Sequence, residues 1–167
     1  MALSINNMSH PAVAWASVLG LGFISPAPGT WGSGAAVIFW WFVLAPLSEE
    51  VQLLVCALYF VSAWWASTVV ARRFEVEDAP QIVADEVVGM WLSLMLLPQI
   101  WWLALLAFGL FRGLDILKPG PIGWLDREVK GGLGVVLDDV LAGLIVSTVL
   151  YFSIWAAAEW GFVQLAT

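Results

Sequence analysis

Residues 82–111, IVADEVVGMWLSLMLLPQIWWLALLAFGLF, decide the fold. The stretch begins with Asp85 and Glu86 near its start, carries no further charge, and contains Pro98 near its middle. Proline lacks the backbone N–H that a helix interior needs, so one straight helix is not expected. Two helical arms of roughly 12–16 residues remain, each short for the ~20 residues that cross a bilayer. The stretch therefore predicts a broken or re-entrant helical hairpin inside a membrane, and a single crossing by residues 86–111 is the alternative.

The composition of the whole chain supports a membrane setting. Hydrophobic residues make up 62% of the 167 residues and charged residues 11%, against roughly 45–50% and 25% in typical soluble domains. A single domain of this size has too little interior to bury so much apolar surface. The 12 tryptophans agree, because tryptophan gathers where lipid tails meet headgroups. We predict an all-α, polytopic integral membrane helical bundle, with residues 1–167 forming one domain.

The predicted helices follow the apolar runs. In this interpretation residues 1–10 form a tail, and residues 11–24 are too short to span and form an interfacial or re-entrant helix. The predicted membrane helices are 34–48, 51–71, 86–111 and 138–160. All six basic residues fall between positions 72 and 130. Basic residues favour the cytoplasmic side, and a hairpin broken at Pro98 keeps all of them there.

The first polar motif precedes the 34–48 run. Residues 25–34 are rich in proline and glycine, which predicts irregular backbone rather than helix. The glycines let backbone N–H groups approach an anion, and a helix N-terminus near Ser33 would add unpaired N–H groups. Thr30 and Ser33 add hydroxyl donors. A plain turn with Ser33 as the helix cap explains the same residues.

Two acidic pairs begin apolar helices. Asp85-Glu86 is stabilised there by the helix dipole and offers the carboxylate oxygens that Mg²⁺ prefers. Gly89, one turn further on, would let another helix or a headgroup come close. Asp138-Asp139 begins the final run, where paired acids are costly unless a cation holds them. Ordinary charge placement at the helix starts, with Asp138 as a cap, remains the alternative.

A third motif combines both signs of charge. Arg112, Asp115 and Lys118 have the i, i+3 spacing that places them on one helix face. Arginine grips phosphate oxygens with two donors and lysine acts as a point charge. Snorkelling at a membrane boundary would explain the two cations, but Asp115 less well. Together, the motifs place five carboxylates near two or three cations, the composition of a metal-assisted phosphoryl site.

The residues that the chain lacks narrow the chemistry. The single histidine, His10, lies in the predicted tail, and the single cysteine, Cys56, lies in an apolar run. A route with two catalytic histidines and an internal disulfide are therefore excluded, and the sequence disfavours a cysteinyl-phosphate route. A net charge of −7 without a long basic tract argues against nucleic acid as a partner. Water activated by a bound metal and an aspartate nucleophile both remain open.

The motifs as a set resemble one family. The matching blocks span residues 25–143 and include Ser25-Pro26 with Pro28-Gly29-Thr30-Trp31-Gly32-Ser33, Ala84-Asp85-Glu86 with Gly89-Met90-Trp91, Phe111-Arg112 with Asp115 and Lys118-Pro119, Asp126-Arg127, and Gly131-Gly132-Leu133-Gly134 with Asp138-Asp139. In these blocks the chain resembles phosphatidylglycerophosphatase A, a family of bacterial inner-membrane lipid phosphatases. The resemblance implies Mg²⁺-dependent hydrolysis of phosphatidylglycerol phosphate to phosphatidylglycerol and phosphate.

These observations set the expected site. The predicted catalytic carboxylates are Asp85, Glu86, Asp115, Asp138 and Asp139. All of these except Asp115 are also predicted metal ligands. The predicted phosphate-binding residues are Thr30, Ser33, Arg112, Lys118 and Arg127. The expected partner is a phospholipid substrate, met by a multi-pass protein of the bacterial inner membrane at its cytoplasmic face. The alternatives are another lipid-phosphate phosphatase or phosphotransferase, and a non-enzymatic cation-binding membrane subunit.

Overall fold

The computed structural model describes residues 3–76 and 79–159, and within them every regular element is helical. The α-helices in chain order are α1 (Pro11–Ala16), α2 (Pro28–Phe39), α3 (Glu49–Phe74), α4 (Ala84–Leu94), α5 (Trp101–Leu117), α6 (Pro121–Glu128) and α7 (Gly132–Glu159). Short 3₁₀ helices at Ile5–Ser9 and Leu21–Phe23 flank α1, and a π-helical turn at Trp40–Leu44 extends α2. The predicted all-α class is confirmed.

The predicted interruption at Pro98 is present. Helix α4 ends at Leu94 and α5 begins at Trp101, and the chain reverses between them. As a result Arg112, near the end of α5, lies beside Glu86 in the first turn of α4, with Nη1 3.6 Å from Oε1. The two helices form a hairpin whose open end carries charged residues.

Helix α4 lies at the centre of the bundle. It packs most extensively against α7 and also contacts α2, α3 and α5. Two glycines permit the α4–α7 contact. A Cβ at Gly89 would lie 2.6 Å from the carbonyl oxygen of Asp139, and a Cβ at Gly143 would overlap the carbonyl of Gly89. Close packing at these glycines brings the acidic residues of the two helices together, as the sequence indicated for Gly89.

Two helices have the length and hydropathy of membrane spans. They are α3 and α7, and only 28% and 50% of their most apolar windows are buried inside the protein. Large apolar side chains such as Leu58, Trp65 and Phe152 are exposed on them. An apolar surface of this kind is typical of helices that face lipid.

The start of α2 corrects the prediction of irregular backbone over 25–34. The helix begins at Pro28, not at 34. Proline at the first helical position loses no hydrogen bond and has the right φ. Gly29 and Gly32 lie where a Cβ would clash with neighbouring side chains. The close packing that these glycines allow outweighs their weak helix propensity, which costs about 1 kcal/mol each.

The start of α7 corrects a second boundary. The helix begins at Gly132, before the predicted 138, so the second acidic pair lies inside it. Gly131 has a φ of 76°, and a Cβ at Gly132 would overlap the backbone of Thr68 on α3. These glycines let the helix begin early against α3. Position 160, the predicted end, lies outside the described residues.

The predicted tail is folded where the structure describes it. Ser4 and Asn7 form a reciprocal capping box at the first 3₁₀ helix. Leu3 is buried in a cluster with Val13 and Val70. Residues 3–10 are therefore packed against α1 and α3, because one apolar residue and a local cap fix them there. Residues 11–24 are not one helix but α1 followed by a turn and the second 3₁₀ helix.

Candidate active site

A cavity of about 480 Å³ lies where α4, α5 and α7 bring their charged residues together. Its ionisable lining consists of six carboxylates and three cations, namely Asp85, Glu86, Asp115, Asp126, Asp138, Asp139, Arg112, Lys118 and Lys130. With all of them ionised, the carboxylates outnumber the cations two to one. Like charges repel strongly where water is scarce, so this cavity favours a bound cation.

Three of the carboxylates form a compact group. One oxygen each from Asp85, Glu86 and Asp139 lies within 4.8 Å of the others. Asp85 and Asp139 are only 7% and 3% exposed, and Glu86 Oε2 is buried with no hydrogen-bond partner among the described residues. An all-oxygen set with an unpartnered carboxylate oxygen fits a hard divalent cation. The residues present therefore fit Mg²⁺.

The charge state of this three-carboxylate group depends on such a cation. Burial raises the pKa of the Asp85 carboxyl well above its usual range, and the neighbouring carboxylate of Glu86 raises it further. A positive charge within a few ångströms acts in the opposite direction, because it stabilises the ionised carboxylate. Cation binding and carboxylate ionisation are thus coupled at this position.

Arg112 is the cation beside the three-carboxylate group. Its Nη1 lies 2.8 Å from Asp115 Oδ2, one turn along α5, and 3.6 Å from Glu86 Oε1. The predicted pairing of Arg112 with Asp115 on one helix face is confirmed. Nη1 also donates to Ser33 Oγ at 3.4 Å. Arg112 Nε is buried and has no partner among the residues described, so the guanidinium keeps a donor for an anion.

The first turns of α2 pack closely against the charged residues of the cavity, and their hydroxyl groups do not point into it. A Cβ at Gly29 would overlap the Glu86 carboxylate and lie 2.8 Å from Arg112 Nη2. Ser33 is buried in the second turn and donates to the carbonyl of Gly29 at 2.8 Å, so it is not a helix cap. Thr30 is exposed and lies outside the cavity lining.

Lys118 is held between two carboxylates. Its Nζ donates to Asp138 Oδ2 at 2.7 Å and also to Asp126. Burial alone would lower the pKa of Lys118, but these two hydrogen-bonded carboxylates outweigh burial and raise the pKa above its usual value. Lys118 ends α5 with a φ of 43°. The i, i+3 spacing predicted Lys118 on the same helix face as Arg112, and the left-handed backbone moves it off that face. Its raised pKa keeps the amine protonated, so Lys118 remains a point charge.

The second acidic pair is divided between two partners. Asp139 joins the three-carboxylate group, whereas Asp138 binds Lys118 and its Oδ1 accepts the N–H of Asp139 at 3.0 Å. Successive residues of a helix point about 100° apart, so neighbours reach different surroundings. Of the four predicted metal ligands, three lie together and Asp138 has a cation as its partner.

The cavity lining also includes residues that the prediction left out. Asp126 and Lys130 line it, whereas Arg127 is exposed and lies outside the lining. The Asp126-Arg127 pair was a visible signal. The sequence could not show which of the two residues faces the cavity. That depends on α6, which begins at Pro121 and turns the side chain of Asp126 toward Lys118.

The fold and the cavity define a class of protein, an α-helical bundle with two candidate membrane spans and a carboxylate-rich cavity at one end of its central hairpin. Comparison with known proteins gives the family. The family model for phosphatidylglycerophosphatase A matches residues 14–154. The chain belongs to the phosphatidylglycerophosphatase A family.

Individual relatives agree with this assignment. The chain is 40% identical over 153 residues to phosphatidylglycerophosphatase A of Escherichia coli, covering 91% of this chain and 88% of the relative. It is 37% identical to phosphatidylglycerophosphatase A of Haemophilus influenzae, covering 87% and 90%. It is also 37% identical to a putative phosphatidylinositol-3-phosphatase of Bacteroides thetaiotaomicron, covering 84% and 89%. No solved structure matches the chain.

These relationships decide whether the protein is an enzyme or a non-enzymatic cation-binding subunit, which the sequence left open. The protein is a phosphatase, as the names of its relatives state. The hypothesis of a non-enzymatic cation-binding subunit is therefore set aside. The acidic cavity is the candidate active site of this enzyme.

Proposed function

We propose that the protein hydrolyses the phosphomonoester of phosphatidylglycerol phosphate to give phosphatidylglycerol and phosphate, and that it requires Mg²⁺. The observation that carries the proposal is the group of Asp85, Glu86 and Asp139 beside Arg112 in one cavity. The E. coli and H. influenzae relatives bear the name of this activity.

Asp85, Glu86 and Asp139 would hold the metal. Bound there, Mg²⁺ would polarise the phosphoryl oxygens as a Lewis acid and offset the surplus negative charge of the cavity. The three carboxylates come from two helices that the glycine contact at Gly89 locks together. Their spacing is therefore fixed before any ligand arrives, which is the condition for effective electrostatic stabilisation.

Two cations would receive the phosphate. Arg112 presents a planar fork that Asp115, Ser33 and Glu86 hold in place. Such a fork matches two phosphate oxygens at once. Lys118 adds a point charge whose position Asp138 determines. The attacking group is water or an aspartate of the cavity. An acid quench that traps a phosphorylated protein would identify the aspartate route.

The site would lie at the cytoplasmic face of the inner membrane, and the distribution of basic residues supports this orientation. Arg72, Arg112, Lys118 and Lys130 line two adjoining cavities, so four of the six basic residues lie close together. Clustered basic residues favour the cytoplasm. At this level the phosphomonoester reaches the carboxylates while the acyl chains stay in the bilayer.

Labelling of single cysteines in intact cells, with Cys56 replaced, tests this orientation. We expect cysteines at positions 75 and 127 to be labelled only after the inner membrane is made permeable. Labelling of position 127 from the periplasm, with position 75 protected, would overturn the arrangement in which the hairpin returns to the cytoplasm.

The central experiment is phosphate release from phosphatidylglycerol phosphate by the purified full-length protein. Release is expected with Mg²⁺ and should stop in EDTA and return when Mg²⁺ is restored. The variant Asp139→Asn serves as the inactive control. Equal phosphate release with and without divalent cations would overturn the proposed metal requirement. No release from this lipid under any condition would overturn the proposed substrate.

The Bacteroides relative gives a reason to test a second headgroup. Its name specifies a phosphoinositide, although its identity to this chain is close to that of H. influenzae phosphatidylglycerophosphatase A. Phosphatidylinositol 3-phosphate should therefore be assayed in parallel. We expect a higher kcat/KM for phosphatidylglycerol phosphate. An acceptor alcohol in the same assay detects phosphotransfer, which we expect to be absent.

A further inference from the structure

A second cavity of about 610 Å³ adjoins the candidate active site on the outside of α3. Its lining is largely apolar and includes Val61, Trp64, Trp65 and Leu133. Trp64 and Trp65 are 41% and 52% exposed. We call this cavity the α3 groove. Apolar walls with half-exposed tryptophans are typical of positions where lipid tails meet headgroups.

The polar end of the α3 groove is basic. Arg72 and Lys130 line it, and no carboxylate lies within 4.0 Å of either among the described residues. Thr68 also lines the groove, and its buried hydroxyl has no hydrogen-bond partner in the part of the chain described. Two cations and a hydroxyl above an apolar wall match an anionic group attached to hydrocarbon.

The α3 groove is continuous with the candidate active site. Lys130 and Gly131 line both cavities. The proposed substrate carries its phosphomonoester and its phosphodiester on the two ends of one glycerol, and the diester leads on to the acyl chains. Such a molecule needs a metal-binding acidic cavity for its monoester, a basic surface for its diester and an apolar surface for its acyl chain. The candidate active site and the α3 groove provide these three surfaces in that order.

We propose that the α3 groove binds the phosphodiester and one acyl chain of the lipid substrate, with Arg72 and Lys130 on the diester and Trp64 and Trp65 along the chain. This inference rests on the proposed function. It gives Arg72 the role of a substrate-binding residue outside the catalytic cavity. It also predicts selection against a lipid without the diester, because such a lipid leaves both cations unmatched.

The kinetic test compares Arg72→Gln with Arg73→Gln in the full-length protein. Arg73 is the next residue, is also exposed, and does not line the groove. In mixed micelles, Arg72→Gln should raise the KM for phosphatidylglycerol phosphate about tenfold with little change in kcat, since one charge-assisted contact is lost from ground and transition states alike. Arg73→Gln should behave as the unmodified protein. Equal behaviour of the two variants would overturn the proposal.

A binding test does not depend on hydrolysis. Phosphatidylglycerol and phosphatidylcholine with brominated acyl chains quench nearby tryptophans, and the first keeps the diester without a balancing choline. The unmodified protein should be quenched more by phosphatidylglycerol, and Arg72→Gln should lose this preference while Arg73→Gln keeps it. Replacement of Trp64 and Trp65 by phenylalanine should remove the extra quenching by phosphatidylglycerol.

The two tests separate this inference from the proposed function. If the protein releases no phosphate from phosphatidylglycerol phosphate, the proposed function fails, and the quenching preference still decides whether the groove binds an anionic lipid. If hydrolysis proceeds and Arg72→Gln loses the binding preference without a rise in KM, the groove holds a lipid other than the substrate and the assignment is overturned.

Discussion

The two acidic pairs of this protein look alike in sequence and differ in the folded chain. Asp85-Glu86 lies in the first turn of α4, and Asp138-Asp139 lies further inside α7. In each pair, Oδ1 of the first aspartate accepts the backbone N–H of the next residue at 3.0 Å. The local geometry of the two pairs is therefore the same.

The difference lies in what the neighbouring helices bring to each pair. Asp85 and Glu86 both face Asp139, whereas Asp138 faces Lys118. In the proposed site, Asp85 and Glu86 act together as metal ligands, whereas the second pair is divided, because Asp139 would bind the metal and Asp138 holds Lys118. Adjacent acids are thus not a functional unit in themselves, because their roles depend on the side chains packed opposite them. Separate substitutions of Asp138 and Asp139 test this division.

The largest effect is expected from the three-carboxylate group. Asp85→Asn and Asp139→Asn keep the side-chain size and remove a charge that would hold the proposed cation. Each should lower kcat by about 10²–10³ in the phosphate-release assay, the range for loss of one transition-state charge contact. Gel filtration and helical circular dichroism should match the unmodified protein. Near-normal activity of both variants would show that the metal lies elsewhere.

Arg112→Lys is expected to have the next largest effect. Lysine keeps the charge but loses the planar fork that Asp115 and Ser33 orient. We expect kcat/KM to fall by one to two orders of magnitude, roughly 1.4–3 kcal/mol, as for one bidentate charge-assisted contact. An arginine that only anchors the helix end would tolerate the change, since lysine snorkels as well. An unchanged kcat/KM would remove Arg112 from the site.

Gly29→Ala tests the contact between α2 and the first acidic pair. The added methyl would overlap the Glu86 carboxylate and press on the Arg112 guanidinium. We expect activity to fall by about tenfold, because small displacements of reacting groups reduce rates strongly. Gly34→Ala is the matched control, since nothing lies within 4 Å of its added Cβ. Equal activities of the two variants would contradict the close contact at Gly29.

Asp138→Asn should have a smaller effect than Asp139→Asn. It weakens the hydrogen bond to Lys118 by removing one charge, which costs about 1 kcal/mol or about fivefold in kcat/KM. The loss should largely disappear when Lys118 is already glutamine, since both changes act on the same contact. A loss as large as that of Asp139→Asn would show that the pair acts as a unit after all.

The smallest effect is expected from two predicted residues that the structure places outside the cavity. Thr30→Ala and Arg127→Gln should change kcat/KM by no more than about twofold, as for surface substitutions generally. Steady-state kinetics on mixed micelles would decide it. A tenfold loss in either variant would return that residue to the phosphate-binding set, as the sequence alone predicted.

Local signals identified the hairpin and the acidic pairs. Pro98 interrupts the helix because its missing N–H acts locally, and the pairing of Arg112 with Asp115 follows from i, i+3 spacing alone. Gly89 allowed a close neighbour to be predicted, although not that the neighbour would be α7. These features depend on a few consecutive residues, so the sequence contains the information directly.

Tertiary packing determined what the sequence could not show. The helix begins at Pro28 because neighbouring segments pack so closely there that only glycine fits at positions 29 and 32. This packing overrides the local preference of the two glycines for loops. The separate partners of Asp138 and Asp139 depend on where α5 ends, since Lys118 adopts a left-handed backbone conformation there. Side-chain roles in the site follow from contacts between distant segments, and no local pattern encodes them.

The contact between α4 and α7 also has a consequence for biosynthesis. A chain emerges from the ribosome N-terminus first, so Asp85 and Glu86 are made before α7. Asp139 joins them only when α7 docks against Gly89. A nascent or truncated chain without α7 therefore lacks one of the three carboxylates of the proposed cation site. Under the proposed function, enzymatic competence then begins only when α7 has docked against α4, so that activity itself would report a completely assembled helical bundle.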